Sequence, residues 1–178
     1  MRPEATPLRR TGIVQFVVEM ELVGVRVELP TNAPIVLLRE TDGSHRTLPI
    51  FIGGPEATAI AFALEGVETP RPMTHDLIKN VLEELGWQLE RVVVTELRES
   101  TFFAELHLTS NGSTHVISSR PSDAIALAAR TGTTIFADES VLDEAAYPPE
   151  DQSEEEQDEV VEQFKEFIDS VNPEDFAS

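Results

Sequence analysis

Three short stretches place acids, arginines and a histidine at the openings of otherwise apolar segments: Gly53-Gly54-Pro55-Glu56, Arg71-Pro72-Met73-Thr74-His75-Asp76 and Arg120-Pro121-Ser122-Asp123. Each reads as a helix N-terminus, with a proline at or just ahead of the first turn and an acid within it. At such an end the first backbone N–H groups lack helical partners and the dipole favours anions. Arg71 and Arg120 could grip a phosphate, guanidinium being suited to bidentate contact. Alternatively, Glu56, Asp76 and Asp123 could hold a divalent cation, Mg²⁺ or Mn²⁺, that activates water for phosphodiester cleavage. His75 is of the residue type that moves protons near neutral pH.

The same residues have a second reading. Acids in a first turn satisfy the dipole, and Thr74 and Ser119 or Ser122 are ordinary caps. Arg71 and Arg120 could pair with Glu65, Asp76 or Asp123 as structural ion pairs. Residue chemistry alone leaves both readings open. His45, His107 and His115 lie in or beside strands and turns without ligand spacing and read as surface residues. The chain has no phosphate-loop glycines, nucleophile elbow or zinc signature. It has no cysteine, which excludes disulfides, thiolate metal sites and cysteine nucleophiles.

The elements that must carry these groups follow from patterning. Valine-rich IVQFVVEMELVGVRVE (13–28) reads as strand, broken at Gly24. PIVLLRE and a return strand from Arg46 to Ile52 flank Asp42-Gly43, a hairpin turn signal. A helix follows from Pro55 to the stop at Gly66. A second starts at Thr74, with Leu77, Val81, Leu82 and Leu85 as an apolar stripe. Gln88–Leu97, Thr101–Leu108 and Thr114–Ser118 read as an antiparallel meander with Asn111-Gly112 at its second turn. Phe102, Ala104, Leu106 and Leu108 share one face of its middle strand. Two small-residue pentads, AIAFA (59–63) and AIALA (124–128), permit close backbone approach and mark both helices as central. A short strand, TIFA, and a helical turn near Ser140 close the domain.

The 178-residue chain is 40% hydrophobic, enough for one folded domain. Its formal charge of −20 is uneven: residues 143–178 hold 14 acids and a single lysine. That balance argues against a general nucleic-acid binder held by bulk electrostatics. Residues 1–12 read as a disordered leader, 143–159 as an acidic disordered linker, and 172–178 as a tail. Between them Val160, Phe164, Phe167, Ile168 and Val171 form one face of an amphipathic helix over 160–171. Too short to persist alone in water, that helix is expected to dock on the body, a second subunit or another protein. No transmembrane or signal segment is present, and nothing points outside the cytoplasm.

LPIFIGGPEATAIAFALEGVETPRPMTHDL (48–77), LRESTFFAELHL (97–108) and SRPSDAIALAAR (119–130) resemble, in order, the signature blocks of the bifunctional nuclease family. The resemblance spans residues 13–142, and FKEFIDSVNPEDF beyond them is similar to the ending of actinobacterial members. It implies an α+β domain whose curved, mostly antiparallel sheet wraps around a central helix, with further helices and an appended C-terminal helix. It also implies a homo-oligomer and a nuclease acting on DNA and RNA, with a divalent metal as the expected cofactor. Carried over residue by residue, the polar positions are Glu56, Glu65, Arg71, His75, Asp76, Arg120, Ser122 and Asp123. Glu56, His75, Asp76 and Asp123 are then the catalytic candidates, the three acids also the metal candidates, and Arg71, Arg120 and Ser122 the substrate contacts. The family commonly carries an acid just ahead of its last block, where this chain has Ser118. Two rival roles stand beside nuclease: a non-catalytic oligomeric interaction module, and a binder of small anionic ligands.

Overall fold

The structure, a computed structural model, describes residues 6–10 and 13–149. Within them lie eight strands and four helices. The strands are β1 (Thr6–Arg10), β2 (Ile13–Glu28), β3 (Ala33–Glu40), β4 (Thr47–Phe51), β5 (Gln88–Arg98), β6 (Thr101–Ser110), β7 (Ser113–Ser119) and β8 (Ile135–Asp138). The helices are α1 (Gly54–Glu65), α2 (Thr74–Glu84), α3 (Pro121–Thr131) and α4 (Glu139–Ala145). Seven strands run in the order β4-β3-β2-β8-β5-β6-β7, and β1 pairs with the start of β2. All pairings are antiparallel except β5 with β8. The fold is therefore the expected α+β, mostly antiparallel sheet, and it does not close into a barrel.

β2 is one strand, where the sequence suggested a break at Gly24. The register instead shifts between Leu22 and Gly24, so one extra residue bulges out. That extra residue keeps the apolar set on one side. Val18, Met20 and Leu22 face the core before the bulge and Val25 faces it after, while Val23 is left exposed. Gly24 sits at φ 153°, a conformation L side chains rarely adopt.

Val36, Leu38, Leu48, Ile50, Val92, Val94, Ala104, Ile135 and Ala137 line the helix-covered face of the sheet. α1 and α3 pack on one another and, between them, on β2, β3, β5 and β6. Ala57, Ala59, Ala124, Ala126 and Ala128 are buried there, so the small-residue pentads do place these helices centrally.

Several expectations need correction. Residues 6–10 are not a free leader but strand β1, paired antiparallel from Thr6 opposite Val17 to Arg10 opposite Ile13. The domain runs past 142: α4 extends to Ala145, and Tyr147 exchanges backbone hydrogen bonds with Thr47 at 2.9 and 3.0 Å. Residues 143–147 thus belong to the fold rather than to a linker. An ion-pair network explains the extension. Glu40, almost fully buried at the end of β3, accepts from Arg46 at its backbone N–H and guanidinium, and Arg46 also reaches Glu139 and Asp143 at 3.0 and 3.1 Å. The rest of the acidic linker, the amphipathic helix and the tail lie outside the described residues. The α2 stripe is not a core face: Leu77, Val81 and Leu85 are exposed, and the one buried residue of the helix is His75. No described helix is long and apolar enough to cross a membrane.

Candidate functional site

α1 and α3 both begin next to one another at a surface trough. Gly53 and Arg120 occupy their N-cap positions in extended conformation; Gly53 has no side chain to cap α1, and the Arg120 side chain does not cap α3. The serines do not cap either. The Ser119 hydroxyl donates to the Arg120 carbonyl, and Ser122 is buried within the first turn. On α2 the N-cap is Met73, not Thr74, and Asp76 accepts the Met73 N–H at 2.9 Å.

Four of the candidate residues converge from three helices. His75 Nε2 donates to Asp123 Oδ1 at 3.0 Å, and its ring is almost wholly buried. Arg120 grips Asp123 with two bonds, Nε to Oδ2 at 2.7 Å and Nη2 to Oδ1 at 3.0 Å. Its Nη1 lies 2.9 Å from Glu56 Oε1. These contacts engage three of the five guanidinium N–H groups, leaving two that no described residue takes. The Glu56 carboxylate folds back over Gly53, where an added Cβ would stand 2.2 Å from Oε2. A side chain at Gly53 would therefore push the Glu56 carboxylate out of this position.

Asp76, Arg71 and Glu65 take no part in these contacts. Asp76 turns away from the cluster and takes the Nε of Arg130, a guanidinium that also donates to the Ala59 and Ala126 carbonyls at 2.9 Å. Asp76 is therefore a clamp between α2 and α3. Arg71 is exposed in the loop entering α2, and Glu65 is exposed at the far end of α1. Ser118 is exposed on β7 opposite Glu105 of β6. His107 departs from the surface reading: it is largely buried, 3.4 Å from the buried Glu105.

The charges reinforce the geometry. Burial pushes the Asp123 carboxyl up, but hydrogen bonds from Arg120 and His75 more than offset this and hold it below its ordinary value. Arg120 is raised in turn, first by its bond to Asp123 and then by Glu56. One exposed guanidinium thus bridges the carboxylates of Asp123 and Glu56. The cluster does not match a cation's needs as placed. Among the described residues no three His, Asp or Glu side chains are arranged to hold a metal, and Glu56 and Asp123 are joined through Arg120.

Sequence reasoning missed Arg130, which lies in the last turn of α3, and it missed the trough. The trough encloses about 390 Å³ between the start of α3 and the ends of β4 and β6. Phe51, Ile52, Thr101, Phe102, Arg120 and Ser122 are among its lining residues.

Comparison with known proteins adds sequence kinship. Residues 36–150 match the bifunctional nuclease domain. The chain is 47% identical over 163 residues to an uncharacterized protein of Mycobacterium tuberculosis, covering 89% of this chain and 97% of that protein. It is 32% identical over 107 residues to bifunctional nuclease 2 of Arabidopsis thaliana and 30% over 109 residues to bifunctional nuclease 1 of Oryza sativa subsp. japonica. Those two alignments cover 57% and 58% of this chain but only 32% and 33% of the plant proteins.

Proposed function

The chain belongs to the bifunctional nuclease domain family, and from that membership we propose that it hydrolyses phosphodiester bonds in DNA and RNA at the Glu56–His75–Arg120–Asp123 cluster. The observation that carries the proposal is the meeting of two helix N-termini at an exposed arginine that keeps two N–H groups for a ligand. Arg120 takes the non-bridging oxygens of the scissile phosphate with that outer edge. Asp123 has both oxygens engaged, so it and His75 are positioning residues that fix the plane of the guanidinium. Glu56 has one oxygen on Arg120 and the other beside Gly53, so it is the group that orients a water and accepts its proton as the water oxygen attacks phosphorus. The P–O bond to the leaving sugar oxygen breaks as the new one forms, and that oxygen takes a proton from solvent. Asp76 acts at a distance by seating α2, and hence His75, on α3.

The test is hydrolysis of single-stranded DNA and RNA by the full chain, in Mg²⁺, Mn²⁺ and chelator. Glu56→Gln is expected to lower the rate by about 10²–10⁴-fold, the usual worth of a general base. Arg120→Ala should weaken substrate binding as well as rate. Folded variants as active as wild type would remove the cluster from the chemistry.

A second reading is favoured by one observation: every acid of the cluster already has a partner within the protein. On that reading the motifs knit helix starts together in a non-catalytic interaction module, and neither DNA nor RNA is cut under any condition. A small anionic ligand would instead show as a melting shift without turnover. We propose in addition that the chain is a homo-oligomer, because α2 carries Leu77, Val81 and Leu85 uncovered on its surface.

A further inference from the structure

Phe51 closes β4 with 61% of its surface exposed, at the rim of the trough that Arg120 borders. Across the trough stand Phe102, half-buried at the start of β6, and the hydroxyl residues Ser100 and Thr101. Ser100 and Glu99 form the β5–β6 turn with φ of 61° and 49°. We propose that this trough seats one unpaired nucleobase of a single-stranded nucleic acid, stacked on Phe51, with the adjoining phosphate on the outer N–H groups of Arg120. The assignment rests on the nuclease reading and names its substrate class: strands whose bases are free of a duplex.

Three observations favour that occupant. A volume of about 390 Å³ falls at the lower end of small-ligand pockets, suited to a nucleotide unit and not to a helix of paired bases. An aromatic ring beside a cationic group is the arrangement by which proteins hold single strands, because each base offers a π-face only when unstacked. Charge argues the same way. In a chain of net charge −20, phosphate attraction is weak and affinity must come from stacking. The wall hydroxyls of Ser100, Thr101 and Ser122 can donate or accept, so the trough tolerates any base.

The experiment is fluorescence anisotropy with a labelled ten-nucleotide phosphorothioate oligothymidylate, alone and annealed to its complement, in chelator. The single strand should bind wild type more tightly than the duplex. Its affinity should fall shallowly with salt, at a slope of about −0.7 per phosphate contact in log–log terms. Phe51→Ala should weaken it about 5- to 150-fold, the range alanine substitution gives for a stacked base, and Phe51→Trp should restore it. Because Phe51 is exposed, both variants should keep the wild-type melting midpoint. Absent binding by wild type, equal binding by Phe51→Ala, or preference for the duplex would overturn the assignment. The two readings fail separately. Phe51-dependent binding without hydrolysis of phosphodiester strands sinks the nuclease reading alone. Hydrolysis with binding indifferent to Phe51 sinks the base-stacking site alone.

Discussion

Asp123 shows how a residue can be both cap-like and part of a site. It stands in the first turn of α3, as the sequence indicates, yet its bonds go to Arg120 and His75. Its depressed pKa means that its contribution to stability is present above the ordinary carboxylate value and lost only as pH falls through the folded one. His107 acts in a milder window and with the same sign. Burial first, then the charge of Arg91, lowers its pKa against the pull of Glu105 and Glu90. The unfolded ring takes its proton near pH 6.5. Between that pH and the lower folded value the unfolded chain binds more protons, so stability declines on acidification. Thermal melts from pH 7.5 to 5 should therefore fall less steeply for His107→Gln than for wild type. Parallel curves would show that His107 titrates alike in both states.

Among the elements, α2 is held in an unusual way for a helix with an apolar stripe. His75 on Asp123 and Asp76 on Arg130 tether it, while much of the stripe stays outside. Arg130→Met should then cost about 3–5 kcal/mol in urea denaturation, the range for breaking a buried charge pair from one side. Asp76 and the carbonyls of Ala59 and Ala126 would all lose a donor. A loss below 1 kcal/mol would mean that α2 is seated by other contacts. The sequence made the local devices readable: Asp42-Gly43 and Asn111-Gly112 turn between strands, and Gly66 ends α1. It also placed the helix starts that carry the cluster. It could not show which starts meet, since the His75–Asp123 and Glu56–Arg120 contacts join residues far apart in the chain and no periodicity encodes such pairing. The direction of the α2 stripe was hidden for the same reason. Spacing shows that one side is apolar, and only the packed neighbours decide which side is covered.

For the whole molecule, the uncovered α2 stripe and the strongly acidic charge pull in opposite directions. Repulsion between chains of charge −20 opposes association, and apolar burial favours it. Sedimentation of the full chain should show an oligomer that tightens with salt, and the double substitution Leu77→Glu, Leu85→Glu should yield a smaller species. A wild-type monomer at tens of micromolar would refute the proposed assembly. Finally, the four-residue strand β8 lies between β2 and β5 and joins the β4-β3-β2 half of the sheet to the β5-β6-β7 half. Its partners on one side are Val17 to Met20, near the opposite end of the domain sequence. The two hairpin halves can form from local contacts, but the seam between them waits for a late segment and a large loop closure. During synthesis on the ribosome, the sheet therefore stays in two pieces, with the flanks of β2 and β5 unsealed, until Asp138 has emerged from the exit tunnel.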